Sequence, residues 1–137
     1  YEFFIVNTFA GNDNLYLMQC NSAYPTPPEH CDIAVIRHYH HLALQYKNIV
    51  PGYSSHDFGS LGSMLAVSAG AKIIEKHVKL GNTPWAHFDS VAMDLTKDDF
   101  INFVSDIRLA EKMVGAEEKR INDSEQHKYW LREASGS

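Results

Sequence analysis

The sequence is poor in several features that mark particular classes of protein. It has two cysteines, Cys20 and Cys31, in 137 residues, too few for the disulfide framework of a small secreted domain. Its net charge of −5 argues against nucleic acid or an anionic membrane as the main partner. No apolar run approaches the roughly 20 residues that cross a bilayer, and the first residues lack the basic stretch of a signal peptide. We therefore expect a cytoplasmic protein with reduced thiols that binds neither membranes nor nucleic acid.

Three short apolar segments alternate with helical ones along the chain. Strands are predicted over 15–20, 48–54 and 71–78, the first of them buried on both faces as in parallel sheets. Pro51 should lie at the margin of the second strand or at a bulge, because proline cannot donate a backbone hydrogen bond. Strands that alternate with helices are typical of a parallel sheet with helical crossovers.

The predicted helices run from about Glu29 to Tyr46, over 59–69, and from an N-cap at Thr96 to a stop at Gly115. Residues 79–94 between the last strand and the last helix are expected to be a long loop. We assign residues 1–132 to one domain and 133–137 to a linker or tag-like tail. Three strands are too few for a closed eight-stranded barrel of about 250 residues, so the chain is either a small open sheet or the trailing part of a barrel.

Two of these predicted strands end in a histidine. His56 and His77 are separated by one strand–helix–strand step, and the carboxyl ends of neighbouring parallel strands lie at one edge of the sheet. Imidazole is a common ligand of zinc, manganese and iron, so the two rings could share a metal ion. The alternative is two structural or surface histidines. Glu75 lies on the same strand face as His77 and could move a proton there, or it could form a buried ion pair with Lys72 or Lys76.

Other polar segments allow two interpretations each. Ser54 and Ser55 could bind an anion such as phosphate at a helix N-terminus, or cap that helix. The segment 20–27 could form a binding rim or a proline-stiffened connector. The histidines within 38–41 are best explained by a helix surface and one core position. Residues 85–88 could cover a pocket or simply pack within their loop.

Four motifs together resemble the sialic acid synthase family, the phosphoenolpyruvate-dependent synthases of N-acetylneuraminate, legionaminate and pseudaminate. They are QCNSAYPTPPEH, GYSSHDFG, SAGAKIIEKHVKL and HFDSVAMD, and the likeness extends over roughly residues 11–132. The resemblance implies a TIM barrel whose sixth, seventh and eighth strands are the three predicted here.

The resemblance also implies a reaction, in which phosphoenolpyruvate condenses with an N-acylated hexosamine of the N-acetylmannosamine type and phosphate is released. The expected cofactor is a divalent metal, manganese first, with magnesium or cobalt as alternatives. The residues that match the family's functional positions are His56 and His77 as metal ligands, Ser54 and Ser22 at the phosphoenolpyruvate, Tyr24 near the acceptor sugar, and Glu75 as the acidic residue of the EKH motif.

The sequence departs from the family pattern at two positions. Ser55 stands where an aspartate is common, so an acidic residue is missing beside the expected metal, and Ala86 stands where an aspartate that contacts the sugar is common. The first half of a barrel is also absent. We therefore expect the chain alone to be inactive, and to pair with the missing part or with another copy as a homo-oligomer. The alternatives are a non-catalytic truncated homologue that acts as a binding or assembly module, and another metal-dependent TIM-barrel aldolase.

Overall fold

The computed structural model describes residues 2–125, in which four helices surround a three-stranded parallel sheet. The helices are α1 Glu2–Thr8, α2 Ala34–Gln45, α3 Leu61–Ser68 and α4 Asp99–Val114. The strands are β1 Leu15–Cys20, β2 Ile49–Ser55 and β3 Ile73–Lys76, followed by a separate short pair, β4 Val78–Lys79 and β5 Met93–Asp94. The predicted parallel α/β arrangement is confirmed. The predicted tail over 133–137 lies outside the described residues.

The strand order β1-β2-β3 brings the ends of all three strands to one edge. Cys20 at the end of β1 pairs with Ser54 of β2, and Ser54 pairs with Glu75 of β3. The loops that follow these strands therefore begin side by side, and the sequence-predicted site residues lie in or next to them.

Two apolar clusters hold the helices to the sheet. Val6, Leu17, Leu42 and Ile49 join α1 and α2 to β1 and β2. Ile36, Tyr53, Ala66 and Ala71 join α2 and α3 to the same face of β2, nearer its carboxyl end. Burying one such large aliphatic side chain contributes about 1.5–3 kcal/mol, so β2, which supplies side chains to both clusters, is the best-anchored strand.

The flanking strands are less buried than the sequence suggested. In β1, Leu17 is buried but Tyr16 is 54% exposed, so the prediction of a strand buried on both faces was wrong. The physical reason is the alternation of side chains: Leu17 points to the face that packs on α1 and α2, and Tyr16 points to the opposite face.

The helix predicted over about 29–46 is shorter in the structure. A single 3-10 turn occupies Pro28–His30, and α2 begins only at Ala34. The intervening Asp32 has a positive φ of 47°, which breaks the helical path.

The expectation that Pro51 lies at a margin or a bulge was also wrong, because it lies inside β2 opposite Leu17. Its carbonyl accepts from the Lys72 amide, which places its backbone groups on the β3 side. Pairing with β3 starts one residue later, at Gly52. The missing N–H of the proline therefore falls just before the ladder begins, which is why the strand tolerates it.

The strand predicted over 71–78 is interrupted at His77. The chain leaves the main sheet after Lys76 and forms the second ladder, in which Val78 pairs with Met93. The expected loop 79–94 thus ends in a short strand. Thr96 does not cap α4, which begins at Asp99; its hydroxyl and amide both donate to Asp94. Among residues 2–125, no helix has the length and apolar character needed to cross a membrane.

Candidate active site at the carboxyl edge of the sheet

The structure brings the two imidazoles together at this edge. His56 follows β2, His77 follows β3, and their ring centroids are 5.2 Å apart. The Tyr24 hydroxyl, from the loop after β1, lies 3.3 Å from Nε2 of His56 and 3.4 Å from Nε2 of His77. Both Nε2 atoms therefore face one point, and three successive strand ends contribute to it.

The hydrogen bonds of His56 fix the orientation of its ring. The side chain is 5% exposed, and its Nδ1 lies 2.6 Å from the carbonyl oxygen of Asn21. Because a carbonyl can only accept, we assign the ring proton to Nδ1, which leaves the lone pair of Nε2 free. A carbonyl partner of this kind on the distal nitrogen is typical of metal-binding histidines.

His77 is held by an aromatic stack. The Phe88 ring lies parallel to it, with centroids 4.7 Å apart and an interplanar angle of 9°. Burial lowers the pKa of His77, and the nearby His56, His87 and Lys76 act in the same direction, while Glu75 opposes them. The lowered pKa favours the neutral imidazole, which is the form that binds metals.

Tyr24 is packed between the histidines of the site. Its ring stacks on His56 at 4.3 Å and meets the ring of His87 edge-on at 4.8 Å. Burial raises the pKa of Tyr24, and the neighbouring Cys20 and Glu75 raise it further. The phenol therefore stays protonated near neutral pH and can donate a hydrogen bond at the point that both Nε2 atoms face.

Ser54 and Glu75 form a second polar pair beside the histidines. The Ser54 hydroxyl donates to Oε2 of Glu75 at 2.5 Å and lies 3.4 Å from Nε2 of His56. Glu75 is exposed, so the alternative of a buried ion pair with a lysine is not what the structure shows. The carboxylate can accept a proton through the serine or directly from solvent.

The remaining predicted positions are arranged differently. Ser22 is exposed in the loop after β1. Ser55, which was expected beside the metal, is fully buried on the opposite face of β2 and donates to Asp57, since successive side chains of a strand alternate between faces. Ala86 is buried within its loop.

The donor set fits a divalent ion that keeps open positions. Within residues 2–125, no three histidine, cysteine or acidic side chains converge on one point, so His56 and His77 are the pair of protein ligands on offer. Two neutral imidazoles with Nε2 atoms turned to one point suit zinc, manganese or iron. The other ligands would have to be water or substrate oxygens, as in catalytic rather than closed structural metal sites.

Three contributors to the site were not identified as such from the sequence. Asn21 contributes through its backbone carbonyl, which no residue type can signal. Phe88 and His87 come from the segment 85–88, and their rings contact His77 and Tyr24; that this segment covers a pocket stays a prediction. Trp85, in contrast, is 85% exposed and covers nothing among the described residues.

A further cavity lies elsewhere in the described part of the chain. It has a volume of about 540 Å³ and lies between β3, the end of α3 and the apolar side of α4, with Ile73, Phe103 and Ile107 in its lining. Neither His56 nor His77 lines it. This cavity runs along the edge of β3 and has apolar side chains in its lining, which is typical of a packing surface. We therefore place the chemistry at the histidine pair.

Comparison with known proteins agrees with the motifs. A sequence model of the NeuB family matches residues 4–119. The chain is 36% identical over 110 residues to N-acetylneuraminate-9-phosphate synthase of Mus musculus, covering 80% of this chain and 29% of that protein. It is 34% identical to pseudaminic acid synthase of Campylobacter jejuni, over 76% of this chain and 29% of that protein.

A solved structure gives the same result at the level of the fold. The N-acetylneuraminic acid (sialic acid) synthetase of Leptospira borgpetersenii, in complex with citrate, superposes with a TM-score of 0.68 at 26% identity, covering 86% of this chain and 39% of that one. The chain thus spans less than a third of the length of the two relatives above. The family match covers most of its residues, and this chain belongs to the NeuB family.

Proposed function

We propose that this chain supplies the metal-binding and sugar-binding rim of a nonulosonic acid synthase, an enzyme that condenses phosphoenolpyruvate with an N-acylated hexosamine and releases phosphate. The observation that carries the proposal is the convergence of His56, His77 and Tyr24 from three successive strand ends. The names of the relatives, which are synthases of sialic and pseudaminic acids, support the class of product. In this proposal β1, β2 and β3 are the last three strands of a TIM barrel.

Each residue of the rim then has a role that its contacts allow. His56 and His77 hold a divalent ion, manganese first, which when bound supplies Lewis acidity toward the aldehyde of the open-chain sugar. Tyr24 donates a hydrogen bond to the sugar from between the imidazoles. Glu75 accepts from Ser54 and so fixes the direction of that hydroxyl.

The phosphoenolpyruvate contacts follow from the same geometry. Ser54 is turned toward the histidine pair at the end of β2, where its hydroxyl can donate to an anion when it rotates away from Glu75. Ser22 is exposed in the loop after β1, where its hydroxyl is free to contact the phosphate from the open side. His87 packs on Tyr24 and Phe88 on His77, so both rings border the site.

A synthase assay with paired variants tests this function. The chain is supplied with the remaining part of the barrel of a relative, and product formation and bound manganese are measured for wild type, His77→Ala and His41→Ala. We expect His77→Ala to lose the metal and at least a hundredfold in turnover, while His41→Ala, an exposed histidine of α2, stays at the wild-type level. Unchanged metal content and turnover in His77→Ala would refute the proposal.

One observation favours a second function, that of a non-catalytic binding or assembly module. Ala86 is buried in the loop above the site at a position where the sequence resemblance leads one to expect an aspartate that contacts the sugar. A titration of the chain with manganese and phosphoenolpyruvate separates the two. Binding of both without product, even when the barrel is completed, would favour the module.

A further inference from the structure

A buried polar network lies behind the two histidines. The Lys76 ammonium donates to the Ser55 hydroxyl at 3.0 Å and to the Asp57 carbonyl oxygen at 2.5 Å. Oδ1 of Asp57 accepts from Ser55 at 2.7 Å and from the Tyr53 hydroxyl at 2.9 Å. Ser55 is fully buried, and Asp57 and Tyr53 are 7% and 2% exposed.

The position of this network in the sequence is as informative as its burial. Ser55 and Asp57 are the residues on either side of His56, and Lys76 immediately precedes His77. One side chain from the end of β3 therefore reaches both neighbours of the histidine that follows β2. Because side chains alternate along a strand, these groups project away from the face on which the imidazoles meet.

The surroundings of Asp57 are shaped for its carboxylate. A Cβ at Gly62, in the first turn of α3, would lie 2.3 Å from Oδ2 of Asp57, so this helix can approach only because the residue is glycine. Buried polar groups of this kind usually contribute less to stability than apolar packing of the same volume would. Their common effect is to fix one arrangement of the backbone that carries them.

We propose that Lys76 is a positioning residue, which clamps the ends of β2 and β3 so that His56 and His77 stand at the spacing needed to share one ion. The inference rests on the proposed function for its purpose, but the clamp itself can be tested without metal. Lys76 makes no hydrogen bond to either imidazole. Apart from its charge, which acts on His77, it acts on the site through Ser55 and Asp57, the residues on either side of His56.

Comparison of Lys76→Met with Lys72→Met in the full chain tests the clamp. Both changes remove one ammonium group near β3, but Lys72 is exposed and lies before the strand begins. NMR measures the ring-to-ring contacts of His56 and His77 and the exchange protection of the Thr26 and Met93 amides, which donate to the carbonyls of the two histidines. Cobalt(II) absorption then measures the affinity of the pair.

We expect Lys76→Met to lose the ring contacts and to lower both the amide protection and the cobalt affinity at least tenfold. Lys76→Arg should recover these properties in part, and Lys72→Met should show none of the losses. Ring contacts and protection that persist in Lys76→Met would overturn the clamp. If Lys76→Met does not fold, Ser55→Ala, which removes one of the two acceptors, decides by the same NMR measurements. Failure of the wild type to bind cobalt would refute the proposed metal role alone, because the metal-free NMR comparison still decides the clamp.

Discussion

Tyr24 contacts both histidines of the site, and its hydroxyl can be removed without removing its ring. In Tyr24→Phe the stack on His56 should persist, so we expect the metal content to stay unchanged. The lost hydrogen bond to the sugar should lower kcat/KM for the acceptor about tenfold, the scale of one neutral hydrogen bond of roughly 1.4 kcal/mol. The measurement is steady-state kinetics of the completed enzyme together with metal analysis. Loss of the metal in Tyr24→Phe would show that the hydroxyl supports the ion instead.

The sequence could predict some residues of this site and not others, for physical reasons. The strand order was sufficient to bring His56 and His77 to one edge. The role first considered for Ser55 failed, because the alternation of side chains turns it away from the imidazoles toward Asp57. Phe88 could not be placed, because its stack on His77 depends on the path of a loop that has no periodic pattern.

At the scale of elements, α3 can approach the end of β2 because Gly62 has no side chain. Gly62→Ala would place a methyl group 2.3 Å from Oδ2 and 2.9 Å from Cγ of Asp57. We expect it to lower the free energy of unfolding by about 1–3 kcal/mol, as overpacking does. Gly11→Ala is the matched control, because nothing lies within 4 Å of its added methyl. Urea unfolding of both variants checks this; equal midpoints would mean that α3 can shift without cost.

The loop over the site is held by two carboxylates. The pKa of Asp89 is lowered to about 2, chiefly because the Thr83 hydroxyl donates a hydrogen bond to its carboxylate. Hydrogen bonds from Lys79 and from the Thr83 amide contribute as well. The hydroxyl and amide of Thr96 also lower the pKa of Asp94 well below its usual value. A carboxylate whose pKa is lowered by folding stabilises the fold above its unfolded pKa and loses that contribution as the pH falls through its folded pKa.

This linkage predicts an acid-sensitive loop. Stability from Asp89 should be complete above pH 4 and should decline between the ordinary carboxyl pKa of 3.8 and about 2. The protection of the amides of residues 80–94, which is the exchange rate corrected for the intrinsic rate at each pH, should therefore be lower at pH 3 than at pH 5 in the wild type. In Asp89→Asn the protection should be low at both pH values. If Asp89→Asn keeps the wild-type pH dependence, the effect comes from other carboxylates.

The elements themselves were largely predictable, and their exceptions have local causes. β1 and α4 are nearly where the apolar patterns put them. The strand over 71–78 was predicted too long, because apolar residues continue past His77 although the backbone leaves the main sheet there to pair with β5. A valine at position 78 fits a strand in either sheet, so the residue type does not show whether it pairs in the main sheet or with β5.

At the scale of the whole molecule, the described part of the chain exposes apolar surface that a complete barrel would cover. The groove of about 540 Å³ runs beside the unpaired edge of β3, and open strand edges of this kind tend to pair with other chains. We therefore expect the chain alone to be inactive and to self-associate with rising concentration.

A charge placed in that groove tests the association. Ile107 lines the groove, whereas Leu109 lies on another side of the same helix and is 51% exposed. In sedimentation experiments we expect Ile107→Glu to shift the chain toward monomer, because a buried unpaired charge is costly, and Leu109→Glu to leave the association unchanged. Equal effects of the two changes would exclude the groove as the contact surface.

The arrangement of the two histidines is tested most directly by crystals of the protein grown with manganese and measured at a wavelength where that ion scatters anomalously. We expect one anomalous peak at coordination distance, roughly 2 Å, from Nε2 of both His56 and His77. A peak bound by only one of the two rings, or the absence of a peak between them, would contradict it.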